Sequence, residues 1–378
     1  MKILFIVLDG LGDENIPAFK NKTPLEAAKT PNLDKLAKNS LIGLLKPDHQ
    51  GAIPTSEEGH SLLFGYDIFK YPLKRGIFEA MGLGIPLKKE DIALRGNFVI
   101  VDEKKNILDR RAGRIEKTEP LIKALSKIKI KGVKIIIKKG PEHRFVLILR
   151  AKGLSWKVTD SDPFYQTLGS KVLKIKGHKK TAAVLNEFSE KAFEVLKNYP
   201  ANYILLRGAS SLSNIPVFKE KYNLKASCIA GKPLYKGIAK VLGMKIIELK
   251  KATGKINTDL KEKFQAAEKE LIEKDFVFLH IKATDSLAED GNYLGKKEFI
   301  EKIDSYIKPL KNTLLVVTSD HSTCSLLKRH CLELIPFLIY PGKGKFQSFS
   351  EKECSKGKII KQIDFLKLVI DLSQNKKR

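Results

Sequence analysis

Asp9, Ser56, Asp285, Asp320, His321 and His330 are the residues of this 378-residue chain whose types suit metal-assisted chemistry on a hydroxyl. Nearly all of them follow directly on apolar runs: Ile3 to Leu8 ends in Asp9-Gly10, Phe276 to Ile281 precedes Asp285, and Leu314 to Val317 precedes Asp320-His321. Carboxylates and imidazoles hold hard divalent cations, and such cations can activate a hydroxyl for phosphoryl transfer. A lone serine alcohol is a poor nucleophile without a base or metal beside it. In Pro54-Thr55-Ser56-Glu57-Glu58-Gly59-His60, acids and a histidine lie within four positions of Ser56.

Each piece has a plainer reading. Ser56 with its glutamates also suits a helix N-cap followed by an acidic first turn, and Asp9 suits a turn. His330 with His321, Cys324 and Cys331 could be read as a zinc site, but the spacing matches no common structural zinc pattern. The ensemble argues otherwise. Core packing does not require so many metal-competent residues at strand ends, where open α/β sheets place their ligands.

The elements that must carry these residues are legible as alternating strands and helices. Ile3 to Leu8 reads as a parallel strand buried on both faces. Thr30-Pro31-Asn32-Leu33-Asp34 opens a helix, with Thr30 as N-cap and Pro31 at its first position. The same grammar returns at Tyr203 to Leu206, Phe276 to Ile281 and Leu314 to Val317, which predicts an α/β sheet with helices on both faces. Between residues 71 and 214 the texture shifts to shorter strands such as Phe145 to Leu149 and to the cluster Arg110-Arg111-Arg114. This predicts an inserted α+β domain (71–214) within a discontinuous first domain (1–70 and 215–378). The tail Asn375-Lys376-Lys377-Arg378 is expected to fray.

The formal charge is +27, from 70 Lys+Arg against 43 Asp+Glu. The basic residues are spread along the chain, many as Lys beside Glu on helix faces, which describes a solvated surface. No nucleic-acid-binding motif accompanies them, so small phosphorylated substrates are expected rather than nucleic acid or membrane. Homo-oligomerisation is left open. No apolar stretch reaches the length of a membrane span. Cys228, Cys324, Cys331 and Cys354 form no Cys-x-x-Cys pair in a chain too large to need staples, which predicts reduced thiols and a cytoplasmic setting.

Many separated stretches resemble the alkaline phosphatase superfamily and, within it, the archaeal branch of the cofactor-independent phosphoglycerate mutases. They include Val7-Leu8-Asp9-Gly10, Lys22-Thr23-Pro24-Leu25-Glu26, Ser56 through Gly65-Tyr66-Asp67, Asp109-Arg110-Arg111-Ala112-Gly113-Arg114, Leu205-Leu206-Arg207-Gly208, Ala283-Thr284-Asp285 and Ser319-Asp320-His321-Ser322-Thr323. The resemblance covers essentially the whole chain. It implies an alkaline-phosphatase-like three-layer sandwich with a mainly parallel sheet, plus the smaller inserted substrate domain.

The resemblance also implies two divalent metal ions and no bisphosphoglycerate; a carboxylate ligand at Glu289 would make the second site harder and favour manganese or magnesium ahead of cobalt or zinc. One ion would be held by Asp9, Ser56, Asp320 and His321, and the other by Asp285, Glu289 and His330. Glu289 departs from the pattern, because the family carries histidine there in Asp-x-x-x-His. Lys236 and His60 would assist at a phosphoserine on Ser56, and Arg110, Arg111, Arg114 and Arg207 would grip phosphate and carboxylate, with Arg75 and Arg95 as further candidates. His280, inside an apolar strand, reads as a packed core histidine. The implied activity is interconversion of 3- and 2-phosphoglycerate, with closure of the inserted domain keeping water from the phosphoserine; the alternatives are a metal-dependent phosphatase or kinase-like phosphotransferase of the same superfamily and, in a different class, a non-catalytic basic binding protein.

Overall fold

The computed structural model describes residues 1–47, 51–71, 73–163, 169–212 and 214–375; the end of the basic tail, 376–378, lies outside them. The chain divides into two compact units, Met1–Tyr71 with Ile215–Arg378, and Pro72–Asn214.

The first unit is built on an eight-stranded sheet. Its spatial order is Lys358–Lys361, Leu41–Lys46, Ile335–Tyr340, Thr313–Thr318, Lys2–Leu8, Phe276–Ile281, Ala226–Ile229, Lys245–Ile246. Only Ile335–Tyr340 runs against its neighbours. Lys2–Leu8 is flanked on both sides by parallel strands, Phe276–Ile281 and Thr313–Thr318. It therefore has no solvent face, which explains its unbroken aliphatic run.

Successive side chains point to opposite faces. Leu4, Ile6 and Leu8 pack with Val277, Leu279 and Ile281 beneath Leu33, Leu36, Phe264, Phe299 and Ile303 of the helices Pro31–Ala37, Leu260–Glu270 and Tyr293–Asp304. On the other face Phe5 meets Phe64, Phe276 and Phe365, and Phe64 meets Phe278, under the helices Ser56–Leu63, Pro233–Val241 and Gln362–Asn375. Two apolar interfaces, one per face, make three layers.

Several local expectations are corrected. Thr30 occupies the cap position but its side chain does not cap. The open N–H groups of Asn32 and Leu33 instead donate to Asp304, at 3.1 and 2.8 Å, a partner 272 residues away that local sequence cannot reveal. The strand Tyr203–Ser210 does not join the parallel sheet. It pairs antiparallel with Asp91–Val101 in the second unit, whose five strands include Arg144–Arg150, Lys134–Lys139 and Ile107–Asp109. The helices Glu119–Leu125 and Lys179–Leu196 cover one face of that sheet through Leu121, Leu125, Leu185 and Phe188. The cysteine reading is corrected too. Cys324 and Cys331 are joined by a disulfide across the hairpin Ser322–Cys324/Arg329–Cys331, while Cys228 and Cys354 are free and buried. Thiols tied together in this way cannot complete a zinc site, and the cysteine pattern no longer argues for a reducing compartment. Among the described residues no helix is long and apolar enough to cross a membrane.

Behind the site, the loop after the first strand is fastened by a fully buried ion pair. Lys296 Nζ donates to Asp13 Oδ2 (2.8 Å) and to the carbonyl of Thr323 (3.1 Å), and Ser325 N donates to Asp13 Oδ1 (2.8 Å).

Glu351 tests how the fold handles buried charge. Burial pushes its carboxyl up to about 7, despite a hydrogen bond from Thr23 at 2.7 Å. An acid with a raised folded-state pKa binds more protons folded than unfolded, so its contribution to stability falls as pH rises between the ordinary glutamate value and about 7. Glu351→Gln should therefore be more stable than the parent at pH 8, by about 1–2 kcal/mol, with the difference vanishing near pH 4. Urea denaturation at the two pH values checks this.

Candidate active site

Three parallel strands end side by side, and the residues just beyond them form the site. Asp9 follows Lys2–Leu8, Lys282 and Asp285 follow Phe276–Ile281, and Asp320 and His321 follow Thr313–Thr318. The hairpin after His321 folds back and returns His330, whose ring stacks on His321 with centroids 3.6 Å apart. Ser56 is the first residue of its helix, with Thr55 as the N-cap. Thr55 and Glu58 complete a capping box, so the acidic first turn serves the helix and leaves the serine hydroxyl uncommitted to capping.

Among the candidate ligand groups, two share His321. Asp9, Asp320 and His321 form one, and Asp285, His321 and His330 the other, with ligand atoms within 4.8 Å of one another. His321 Nε2 lies 3.2 Å from Asp320 Oδ2, 3.4 Å from Asp9 Oδ1 and 3.4 Å from Ser56 Oγ. His330 Nε2 lies 3.5 Å from Asp285 Oδ1.

The hydrogen-bond chain decides which ring nitrogens carry protons. Thr323 Oγ1 donates to Asp285 Oδ1 at 2.7 Å, so toward His321 Nδ1, at 3.2 Å, it can only accept. His321 Nδ1 is then the protonated nitrogen. His330 Nδ1 faces the carbonyl of Pro54 at 2.7 Å and must donate to it. Both Nε2 atoms are consequently bare in the neutral rings, and their lone pairs face carboxylate oxygens. Burial pushes His321 down to about 4, with further repulsion from His330, so the neutral form holds at physiological pH. Lone pairs aimed at carboxylates in a buried cluster are stable only with a cation between them, so the residues present fit a bound divalent metal.

Other groups complete the shell. His60, fully buried, donates from Nδ1 to the carbonyl of Ser56 (2.8 Å), which sets the same nitrogen 3.0 Å from Asp320 Oδ2. His280 is buried as expected but is more than core: its Nε2 lies 2.8 Å from Asp9 Oδ2, and its ring stacks on Tyr235 at 3.6 Å. Burial alone would raise the Asp9 carboxyl, but the Lys282 ammonium and the His280 hydrogen bond hold it well below the usual carboxylate range. Lys282, absent from the sequence reading, contacts both Asp9 and Asp285. Its only sequence signal is its place one residue beyond the strand end, where lysine is common on solvated loops.

Two expected residues are not brought to the cluster. Glu289 lies one helical turn beyond Asp285, exposed at the end of the helix Ala283–Glu289, and among the described residues it joins no group of candidate ligands. Lys236 pairs with Glu248.

In the second unit the arginines form their own cluster. Arg110 donates twice to Asp162 Oδ1 (2.9 and 2.6 Å), and Arg207 Nη1 lies 3.6 Å from Asp162 Oδ2. Arg111 and Arg114 are exposed on a turn whose residues Ala112, Gly113 and Arg114 all have positive φ. Asp109 fixes that turn by accepting from the N–H groups of Arg111 (2.7 Å) and Gly113 (2.6 Å). Buried Arg95 and His143 belong to the same field. Burial, then Arg144 and Arg95, push His143 down to about 3.

The sequence matches the Metalloenzyme superfamily over residues 1–370. It is 41% identical to the 2,3-bisphosphoglycerate-independent phosphoglycerate mutase 1 of Archaeoglobus fulgidus, with 98% of each chain covered. The chain belongs to this family of mutases. Among solved structures, the cofactor-independent phosphoglycerate mutase of Thermoplasma acidophilum is 31% identical, with a TM-score of 0.68 over 99% of this chain and 100% of that one. A Pyrococcus horikoshii protein is likewise 31% identical, with a TM-score of 0.83 over 98% and 97%. The mixed α/β architecture is thus that of cofactor-independent mutases, and the family is one of metalloenzymes.

The approach of Ser56 to the carboxylates depends on a missing side chain. A Cβ on Gly59 would lie 2.4 Å from the carbonyl oxygen of Asp320, and Gln362 Nε2 clamps the same two segments by donating to the carbonyls of Asp320 (2.7 Å) and Gly59 (3.2 Å). Gly59→Ala should leave the circular dichroism spectrum intact while lowering turnover by roughly 10–100-fold, as loss of a supporting contact does at metal sites. Steady-state kinetics of the metal-loaded variant check this.

Proposed function

We propose that this chain interconverts 3-phosphoglycerate and 2-phosphoglycerate through a phosphoserine at Ser56. The carrying observation is the placement of Ser56 Oγ at a helix N-terminus, 3.4 Å from a bare His321 nitrogen that itself faces Asp9 and Asp320. Two divalent ions would be held by Asp9, Ser56, Asp320 and His321 and by Asp285 and His330, a set with more oxygen than nitrogen donors that suits manganese or magnesium; they would supply the Lewis acidity that makes the hydroxyl nucleophilic. Glu289 is left out of this set because of its exposure.

The protein's own groups supply orientation and charge. His60 holds the backbone of Ser56 and sits against Asp320, Thr323 fixes both Asp285 and the tautomer of His321, and the Pro54 carbonyl fixes that of His330. The N-terminal end of the Ser56 helix favours the negative charge that builds as the phosphoryl group arrives. Arg110, Arg111, Arg114 and Arg207 hold the carboxylate and phosphate of glycerate while the phosphoryl moves between its two hydroxyls, since a planar guanidinium binds such anions through paired donors. Glycerate retained in this way is the acceptor in place of water, which separates a mutase from a phosphatase.

Metal-supplemented protein incubated with 3-phosphoglycerate should yield the 2-isomer by phosphorus NMR without added bisphosphoglycerate. Free phosphate as the only product would overturn the mutase reading. Ser56→Ala should abolish turnover, and Glu289→Gln should change it less than about threefold, as surface substitutions away from a site do; a loss of bound metal in Glu289→Gln would instead restore that carboxylate as a ligand.

A further inference from the structure

We infer that Lys282 is a built-in counter-cation of the metal centre, so that the chain holds one divalent ion tightly and takes the second together with a phosphate. The inference rests on the two-cluster reading above and deepens it. The Lys282 side chain is largely buried, with its ammonium 3.0 Å from Asp9 Oδ1 and in contact with Asp285 Oδ2. Of the two groups that share His321, Asp9 belongs to one and Asp285 to the other. The lysine therefore links the two groups through a charge that cannot leave the chain.

Its position is set by the fold. Lys282 is the residue between the strand Phe276–Ile281 and the helix Ala283–Glu289, and Thr284 Oγ1 donates to the carbonyl of Asp9, fixing the start of that helix against the first strand end. The ring of Tyr235 lies 5.7 Å from the ammonium, and Tyr235 is itself held against His280. A surface lysine would lie in water on a flexible stem; this one is enclosed by an aromatic ring and two carboxylates.

Charge then limits what the centre can hold. With neutral imidazoles, the carboxylates of Asp9, Asp285 and Asp320 against one ammonium leave two uncompensated negative charges, which a single divalent ion cancels. A second divalent ion would bring buried positive charge without a partner, which a low-dielectric site resists. A phosphoryl dianion supplies that partner. Lys282 also weakens the Asp285 group for any cation by already occupying its second oxygen.

Mn2+ titration by calorimetry, with inorganic phosphate absent or present, tests this on the full-length protein stripped of metal. The parent should bind one equivalent tightly and a second at least about tenfold more weakly, with phosphate tightening the second step. Lys282→Met should lose thermal stability in the metal-free form and bind both equivalents tightly without phosphate. Lys282→Arg, which keeps the charge, should behave as the parent. If Lys282 merely props the site, Lys282→Met weakens both steps, and that result overturns the inference, as does an unchanged titration. Should the metal-free Lys282→Met variant fail to fold, the inference requires that Mn2+ alone restore folding with a steeper dependence than in the parent; failure to do so counts against it. A parent that binds no Mn2+ at all removes the two-cluster reading itself.

Discussion

Three buried carboxylates, Asp9, Asp285 and Asp320, meet at one rim of the parallel sheet, and their mutual repulsion is the constraint around which the rest is arranged. Each is fully buried, so none is screened by water. Left alone they would protonate or push apart. They stay ionised because every neighbour is placed against that outcome: the Lys282 ammonium on Asp9 and Asp285, the Thr323 hydroxyl on Asp285, and the His60 and His280 rings on Asp320 and Asp9. The same arrangement explains the affinity for cations that membership in a metalloenzyme superfamily entails.

Holding such a cluster open takes a rigid frame. The frame is the apolar packing on the two faces of the sheet, where aliphatic side chains fill one interface and a run of phenylalanines the other. Against it, individual polar clamps set the last few tenths of an ångström. Gln362 ties the Ser56 helix to the Asp320 loop, and the buried Lys296–Asp13 pair ties the first strand's loop to the hairpin that follows His321. Buried pairs of this kind add little net stability but fix one geometry, which is what a metal centre needs. The Cys324–Cys331 disulfide sits on the same hairpin, between the residues that flank Thr323 and His330.

The inserted unit handles charge of the opposite sign by similar means. Asp162 gathers Arg110 and Arg207, Asp109 shapes the turn bearing Arg111 and Arg114, and His143 stays neutral among guanidinium groups. The Asp162 carboxylate thus gathers two guanidinium groups, whereas Asp109 holds only the backbone of its turn. The first unit gathers carboxylates and imidazoles, and the second gathers guanidinium groups.

Period and position in the chain were enough to read the α/β character, the buried first strand and most of the residues that gather at the sheet rim, because a parallel strand buried on both faces must be apolar and must stop at a polar residue. Asp9, Asp285, Asp320 and His321 announced themselves in this way, and Ser56 and His330 by residue type alone. What local pattern could not carry were the partners: Asp304 replacing Thr30 as the cap, Tyr203–Ser210 pairing in the second sheet, the Cys324–Cys331 bridge, and the roles of His280 and Lys282. Apart from the bridge, which closes a hairpin across a separation of 7 residues, those depend on contacts between segments far apart in the chain. Glu289 shows the converse: its spacing of four from Asp285 permits a shared helix face, yet the helix ends there and its side chain goes to solvent. Residue types and their spacing determined which chemistry was available, and only the tertiary structure decided which groups share it, because burial and charge pairing are properties of neighbours in space.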